Sequence, residues 1–200
     1  MFKKINVFFL IGFVFIFCAA ALTGYNVYCD YTVGKASESI LSEIDLESEN
    51  SADSDDAVPD YILDPDMPMP TKTVGGYKFV GMIEIPVLSL KLPVIETWSY
   101  DGFLKAPCVY YGSAYKDNLV IAAHNYTRHF GRLKNLLPGN AVIFTDVDGN
   151  RFSYNVLETQ ILQPNEIKAM TQSDADLTLF TCTVGGRTRV TVRCERAEDK

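Results

Sequence analysis

Hydrophobic and polar positions divide the chain into three unlike parts. Residues 5–22 form one apolar run without a charge, close to the shortest stretch that crosses a bilayer as a helix. Residues 30–66 reverse the pattern: Ser, Asp and Glu dominate and apolar positions are sparse. From Tyr77 onward apolar residues return in short runs cut by turn residues, namely YKFVGMIEIP, LKLPVIE, PCVYYG, NLVIAAH, AVIFTDV, RFSYNVLETQIL, LTLFTC and RVTVRCE. Runs of this length, rich in Val, Ile, Phe and Tyr and alternating in several places, predict β-strands. About eight strands with turn signals between them predict a barrel or a sandwich. Helix is confined to short pieces at residues 100–104, 128–136 and 164–170, and no internal repeat is present.

The flanks of the apolar run bear on its role. Lys3 and Lys4 precede it, which favours a cytoplasmic N-terminus and an exported remainder. Tyr25 and Tyr28 suit a membrane interface and favour an uncleaved anchor, while Ala19, Ala20 and Ala21 also fit a cleaved signal peptide. Both readings export the rest of the chain.

Charge is unevenly placed. The net charge is −7, but residues 30–66 carry twelve acids against Lys35, a local −11, so the remainder is mildly basic at +4. A stretch so acidic and poor in aromatics is expected to remain a solvated, unfolded spacer. The expected division is therefore an anchor at 1–28, a spacer at 29–74 stiffened at its end by DPDMPMP, and a folded domain at 75–200. No basic, aromatic-interleaved surface suggests a nucleic-acid partner. DVDGN at 146–150 has the start of a calcium loop, but its twelfth position is Leu157 rather than an acid, so Asp148-Gly149 is read as a hairpin turn and no metal site is assigned.

Five cysteines occur, at 18, 29, 108, 182 and 194, and three of them fall in the folded part. An odd number leaves at least one free thiol. Cys108 and Cys194 are expected to be small buried hydrophobes. Cys182 differs, because it ends the strand LTLFTC just before Gly185-Gly186. If those glycines form a two-residue turn, Val184 faces Arg187, Thr183 faces Thr188 and Cys182 faces Arg189, so a guanidinium stands beside the thiol. By the period-2 rule Arg187, Thr191 and Arg193 share that face, with Arg187 and Arg193 expected in solvent, while Val190, Val192 and Cys194 turn to the core. His124 ends the run NLVIAAH, so a strand delivers its imidazole to the rim of the sheet. A thiolate stabilised by neighbouring cations is a nucleophile, and an arginine can stabilise the oxyanion its attack creates.

The segment TLFTC (residues 178–182), followed by RVTVRCER and preceded by NLVIAAHNY and GMIEIPVLSLKLPVIE, resembles the sortases, membrane-anchored cysteine transpeptidases of Gram-positive bacteria. The resemblance implies a mainly β fold, a closed eight-stranded sortase-type barrel with a few short helices, preceded by an N-terminal transmembrane helix. It implies Cys182 as nucleophile, His124 as imidazolium acid and then base, and Arg189 as oxyanion stabiliser. Thr181 and Asn125 are the expected peptide contacts. The implied partners are secreted proteins with a C-terminal Leu-Pro-X-Thr-Gly-like sorting signal and an amine acceptor, either a lipid-linked peptidoglycan precursor or a pilin lysine. No cofactor is implied. In many sortases the connection between the last two strands is longer than residues 183–188, which leaves the subclass unassigned. Peptidoglycan L,D-transpeptidases and papain-like hydrolases fit less well, the first by motif and the second by the order of histidine and cysteine. A non-enzymatic anchored β-domain, an adhesin or scaffold, would require a buried, inert Cys182.

Overall fold

The computed structural model describes residues 7–48 and 58–197. It opens with helix α1 (Val7–Ser48), followed by a single turn, α2 (Asp60–Leu63), and strands β1 (Lys72–Val74), β2 (Tyr77–Ile85) and β3 (Leu90–Ile95). Then come α3 (Tyr100–Phe103), β4 (Cys108–Tyr111), β5 (Leu119–Ala122), a 3-10 segment Phe130–Asn135, β6 (Ala141–Asp146) and β7 (Arg151–Leu162). The chain finishes with α4 (Ile167–Thr171), β8 (Leu177–Cys182) and β9 (Arg189–Arg196). All eight predicted strands form, and β1 is an additional short strand the pattern did not reveal.

Eight strands close into a barrel. The order β2-β3-β4-β5-β8-β9-β7-β6 returns to β2 through a β2–β6 pairing, and β1 is added to the start of β2. Closure depends on close approach at Gly81, which faces Asp146 across the seam; a Cβ there would overlap the Thr145 carbonyl. Alternation decides what lies inside: Leu119 and Ile121, Val142 and Phe144, Phe152 and Tyr154, Leu177 and Leu179, and Val190, Val192 and Cys194 fill one core. The β6–β7 turn is the expected hairpin. Asp146 is buried and accepts from the backbone N–H groups of Asp148 and Asn150 (3.0 and 2.8 Å), from the Asn150 side chain (2.8 Å) and from the Tyr115 hydroxyl (2.7 Å).

Two stretches depart from the expected spacer. Helix α1 continues without a break through residues 29–48, and Leu41 and Ile44 are buried against Val74, Phe79, Met82 and Ile95. Val33, Ser37, Ile40, Leu41 and Ile44 recur at helical spacing, so this acidic stretch carries one apolar stripe with its charges on the other faces. Burying the Leu41 and Ile44 side chains contributes roughly 1.5–3 kcal/mol each before ordering costs. Farther on, Tyr61 stacks on Tyr115 with ring centroids 4.6 Å apart, and Met67 and Met69 pack on the barrel. The rest of the expected spacer, residues 49–57, and the flanking Lys3 and Lys4 lie outside the described residues. The first part of α1 is exposed and apolar, with a mean hydropathy of 2.5 over 18 residues, and the helix is long and apolar enough to cross a membrane.

Arg193 corrects another expectation. It does lie on the outward face of β9, but it is only 4 % exposed rather than solvated. Its guanidinium donates to the Ala169 carbonyl, the Met170 carbonyl (3.2 Å), Ser173 Oγ (3.0 Å) and Thr178 Oγ1 (2.7 Å). The β7–β8 connection folds over the strand face and its carbonyls need donors, which Arg193 supplies. Arg187 is exposed, as expected. Arg193→Ala strips these acceptors of their donor and is expected to cost about 3 kcal/mol, with earlier proteolysis in residues 163–176; a denaturation midpoint and limited digestion check both.

Candidate active site

The parallel pairing of β5 with β8 builds the site. Its last registered pair is Ala122 with Phe180, and the strands stay tied beyond it: Ala123 N donates to Phe180 O (3.2 Å) and Thr181 Oγ1 to Ala123 O (2.7 Å). Parallel strands advance together, so His124 and Cys182 leave neighbouring strands at the same level, each two residues past that pair. Both continue the face of Ala122 and Phe180, which is the outside of the barrel. On the other flank of β8, Cys182 faces Arg189 of β9. Thiol, imidazole and guanidinium thus come from three adjacent strands, with the thiol in the middle.

The β8–β9 register agrees with expectation, but the turn is built differently. Gly186 N donates to Thr183 O (2.8 Å), closing a turn over residues 183–186, while Thr183 N donates to Thr188 O (3.0 Å). The Thr183 and Thr188 hydroxyls meet at 3.0 Å. Arg189 Nη1 donates to the Gly186 and Thr188 carbonyls at 3.0 and 3.1 Å, so the turn fixes the guanidinium.

His124 is half-buried between two rings, Phe103 at 4.3 Å and Tyr126 at 5.2 Å between centroids. Its Nε2 is shielded from solvent and has no partner among the described residues. Burial lowers its pKa from the ordinary value and favours the neutral ring. The loop after it is tied down by bonds from Phe130 N to His124 O (3.1 Å), His129 N to Tyr126 O (3.0 Å) and Gly131 N to Tyr126 O (2.9 Å). His129, the other histidine, is fully buried with both ring nitrogens unpartnered among the described residues.

The cysteines separate by environment. Cys108 and Cys194 are buried, and desolvation pushes their thiols up to about 11 and about 12, so they stay protonated and inert. Cys182 is a free thiol with partial access to solvent. Beside it on the barrel's outer face, Val120, Ala122, Phe180, Leu162 and Met170 form an apolar floor bordered by Phe103, and Tyr110 stands edge-on to Phe180.

Thr181 is buried, and its hydroxyl is committed to the β5–β8 tie. Asn125 is exposed next to His124. Sequence reasoning missed the residues that α1 brings to this rim. Asp30 Oδ1 accepts from Arg128 N (3.0 Å), the Arg128 guanidinium lies 5.7 Å from the Tyr31 ring centre, and Arg128 Nη1 is 3.7 Å from Glu38. The helical spacing of Tyr31, Gly34 and Glu38 was the available signal, hidden by the acidity of the stretch.

A closed barrel with a thiol, an imidazole and a guanidinium gathered at one rim has the form of a cysteine transpeptidase. A family model for the sortase domain matches residues 83–197, more than half of the chain, and the chain belongs to the sortase family. Among solved structures, sortase D5 transpeptidase of Clostridium perfringens is 17% identical over 83% of this chain and 99% of its own, with a TM-score of 0.57. Sortase C of Clostridium perfringens SM101 is 23% identical over 82% of this chain and 91% of its own, with a TM-score of 0.54. Sortase C1 of Streptococcus suis is 24% identical over 61% and 74%, also with a TM-score of 0.54. At these identities the likeness is one of fold. No curated protein sequence matches the chain.

The buried histidine gives a pH test. Burial, reinforced by His124 and opposed by Asp30, lowers the His129 pKa to about 4. A base with a depressed native pKa contributes stability that is complete above the unfolded value near 6.5 and is lost as pH falls toward 4. The detergent-solubilised chain is expected to lose roughly 3 kcal/mol over that window. His129→Phe should flatten the profile when urea denaturation is followed at several pH values.

Proposed function

We propose that this sortase cleaves a C-terminal LPXTG-like sorting signal of secreted proteins and transfers the acyl group to an amine, through a thioester on Cys182. The observation that carries the reading is the placement of Cys182 between His124 and Arg189 on three adjacent strands. The thiol Sγ attacks the carbonyl of the Thr-Gly bond while His124, kept neutral by its burial, takes the thiol proton. In this reading Arg189, held beside the thiol by the turn carbonyls, stabilises the oxygen that gains charge. The C–N bond then breaks, His124 returns its proton to the leaving amine, and the thioester remains. An amine from a lipid-linked wall precursor or a pilin lysine completes the transfer.

The apolar floor of Val120, Ala122 and Phe180 suits the apolar side chains of the peptide. Asn125 lies where it can bond the substrate, while Thr181 supports the site through its bond to Ala123. In this reading α1 anchors the chain in the cell membrane, with its N-terminus cytoplasmic and the catalytic barrel outside.

Intact-mass spectrometry with a pool of LPXTG-type pentapeptides tests the proposal. An added acyl fragment that is absent in Cys182→Ala is the expected result. Arg189→Ala should slow its formation by about 100- to 1,000-fold. No adduct, together with a Cys182 that resists iodoacetamide in the native state, would leave a non-enzymatic scaffold.

A further inference from the structure

A cavity lies between α1 and the loop that follows His124. Its volume is about 350 Å³, and it is lined by Asn26, Val27 and Asp30 of α1 and by Asn125, Tyr126 and Thr127 of the loop that follows His124. Its wall is braced from outside. Asp30 Oδ1 holds Arg128 N, Arg128 packs across Tyr31 to Glu38, and the arginine can cross the helix only because residue 34 is glycine, where a Cβ would overlap its side chain.

The lining has a definite chemistry. Asp30 is the one charged side chain in it, and the carboxamides of Asn26 and Asn125 add neutral acceptors. A carboxylate flanked by amide oxygens favours a small cation that donates several hydrogen bonds. Tyr126, part of this lining, has its ring 5.2 Å from that of His124.

Resting on the transpeptidase reading above, we propose that this cavity is the entry site for the acyl acceptor and takes it as a primary ammonium. Asp30 holds the ammonium until it loses one proton to the His124 imidazole. The resulting amine forms the new C–N bond at the thioester carbon, the C–S bond to Cys182 breaks, and the second amine proton leaves with the sulfur as thiol. At 1.5 Å of rise per residue, Asn26 and Asp30 lie about 6 and 12 Å beyond Leu22, where the apolar run ends. An amine carried by a lipid and one carried by a protein lysine both reach a cavity at that height.

The test uses the full chain in phosphatidylcholine vesicles, acylated with the pentapeptide pool, and measures how the thioester partitions between water and added amine. Nα-acetyl-lysinamide presents a soluble ammonium, palmitoyl-lysinamide presents one from the bilayer, and hydroxylamine is an uncharged reference. Asp30→Asn keeps the oxygen that bonds Arg128 N and removes only the charge. It is expected to lower aminolysis by both lysine probes about tenfold relative to hydrolysis, with acyl-enzyme formation and hydroxylaminolysis unchanged. Adding Asn26→Asp, one helical turn away on the same wall, should restore part of the loss. Of the two lysine probes, the one effective at lower concentration names the source of the amine. An unchanged partition in Asp30→Asn, or an equal loss for hydroxylamine, would overturn the proposal while leaving the transpeptidase reading intact. A wild-type chain that forms no acyl-enzyme would overturn both.

Discussion

The site depends on one parallel strand pair. Antiparallel neighbours would send residues 124 and 182 to opposite ends of the sheet, whereas β5 and β8 run together and deliver both to the same rim. The pairing continues past its last registered residues through Ala123 N and the Thr181 hydroxyl, so strand ends that would otherwise fray are held. The Thr181 hydroxyl is thus committed to the tie between the two strands. A tie of this kind limits how far the ends of the two strands, and with them His124 and Cys182, can move relative to each other.

The barrel's two faces have different tasks. Inward positions of β8 and β9 fill the core and place Cys194 where its thiol cannot ionise. Outward positions carry Cys182, Arg189 and Arg193, and the two arginines serve unlike purposes. Arg189 is half-exposed and bonded to the turn beside the thiol. Arg193, four residues on, is covered by the β7–β8 connection and holds α4, whose Met170 completes the apolar floor near the cysteine. Both guanidiniums donate to protein carbonyls, but Arg189 stays half-exposed beside the thiol whereas Arg193 is roofed over.

Helix α1 joins the apolar N-terminal segment to the site. Its apolar stripe docks Leu41 and Ile44 on the barrel, while Asp30, Tyr31 and Glu38 grip Arg128 in the loop that carries the histidine. The helix closes one side of the rim with the Asp30 carboxylate and the Asn26 carboxamide one turn before it, and it sets the height of that rim relative to the apolar segment.

The strands, their alternation, the Cys182–Arg189 pairing and the inert character of Cys108 and Cys194 were all legible in the chain, because each follows from neighbours in sequence or from a period of two. Local turn chemistry was legible only in part: the β8–β9 register was set by the Thr183–Thr188 pairing rather than by a two-residue glycine turn. The fate of Arg193 was not legible, since solvent and a folded-over loop look alike from β9 alone. Nor was the docking of residues 30–44, where twelve acids in the surrounding stretch outweighed an apolar stripe that stabilises a helix only when a barrel is present to receive it. Sequence determined which residues could act, through their chemistry and spacing. Tertiary structure alone decided which of them meet and which surface α1 covers, because parallel pairing and helix docking join segments that the chain keeps far apart.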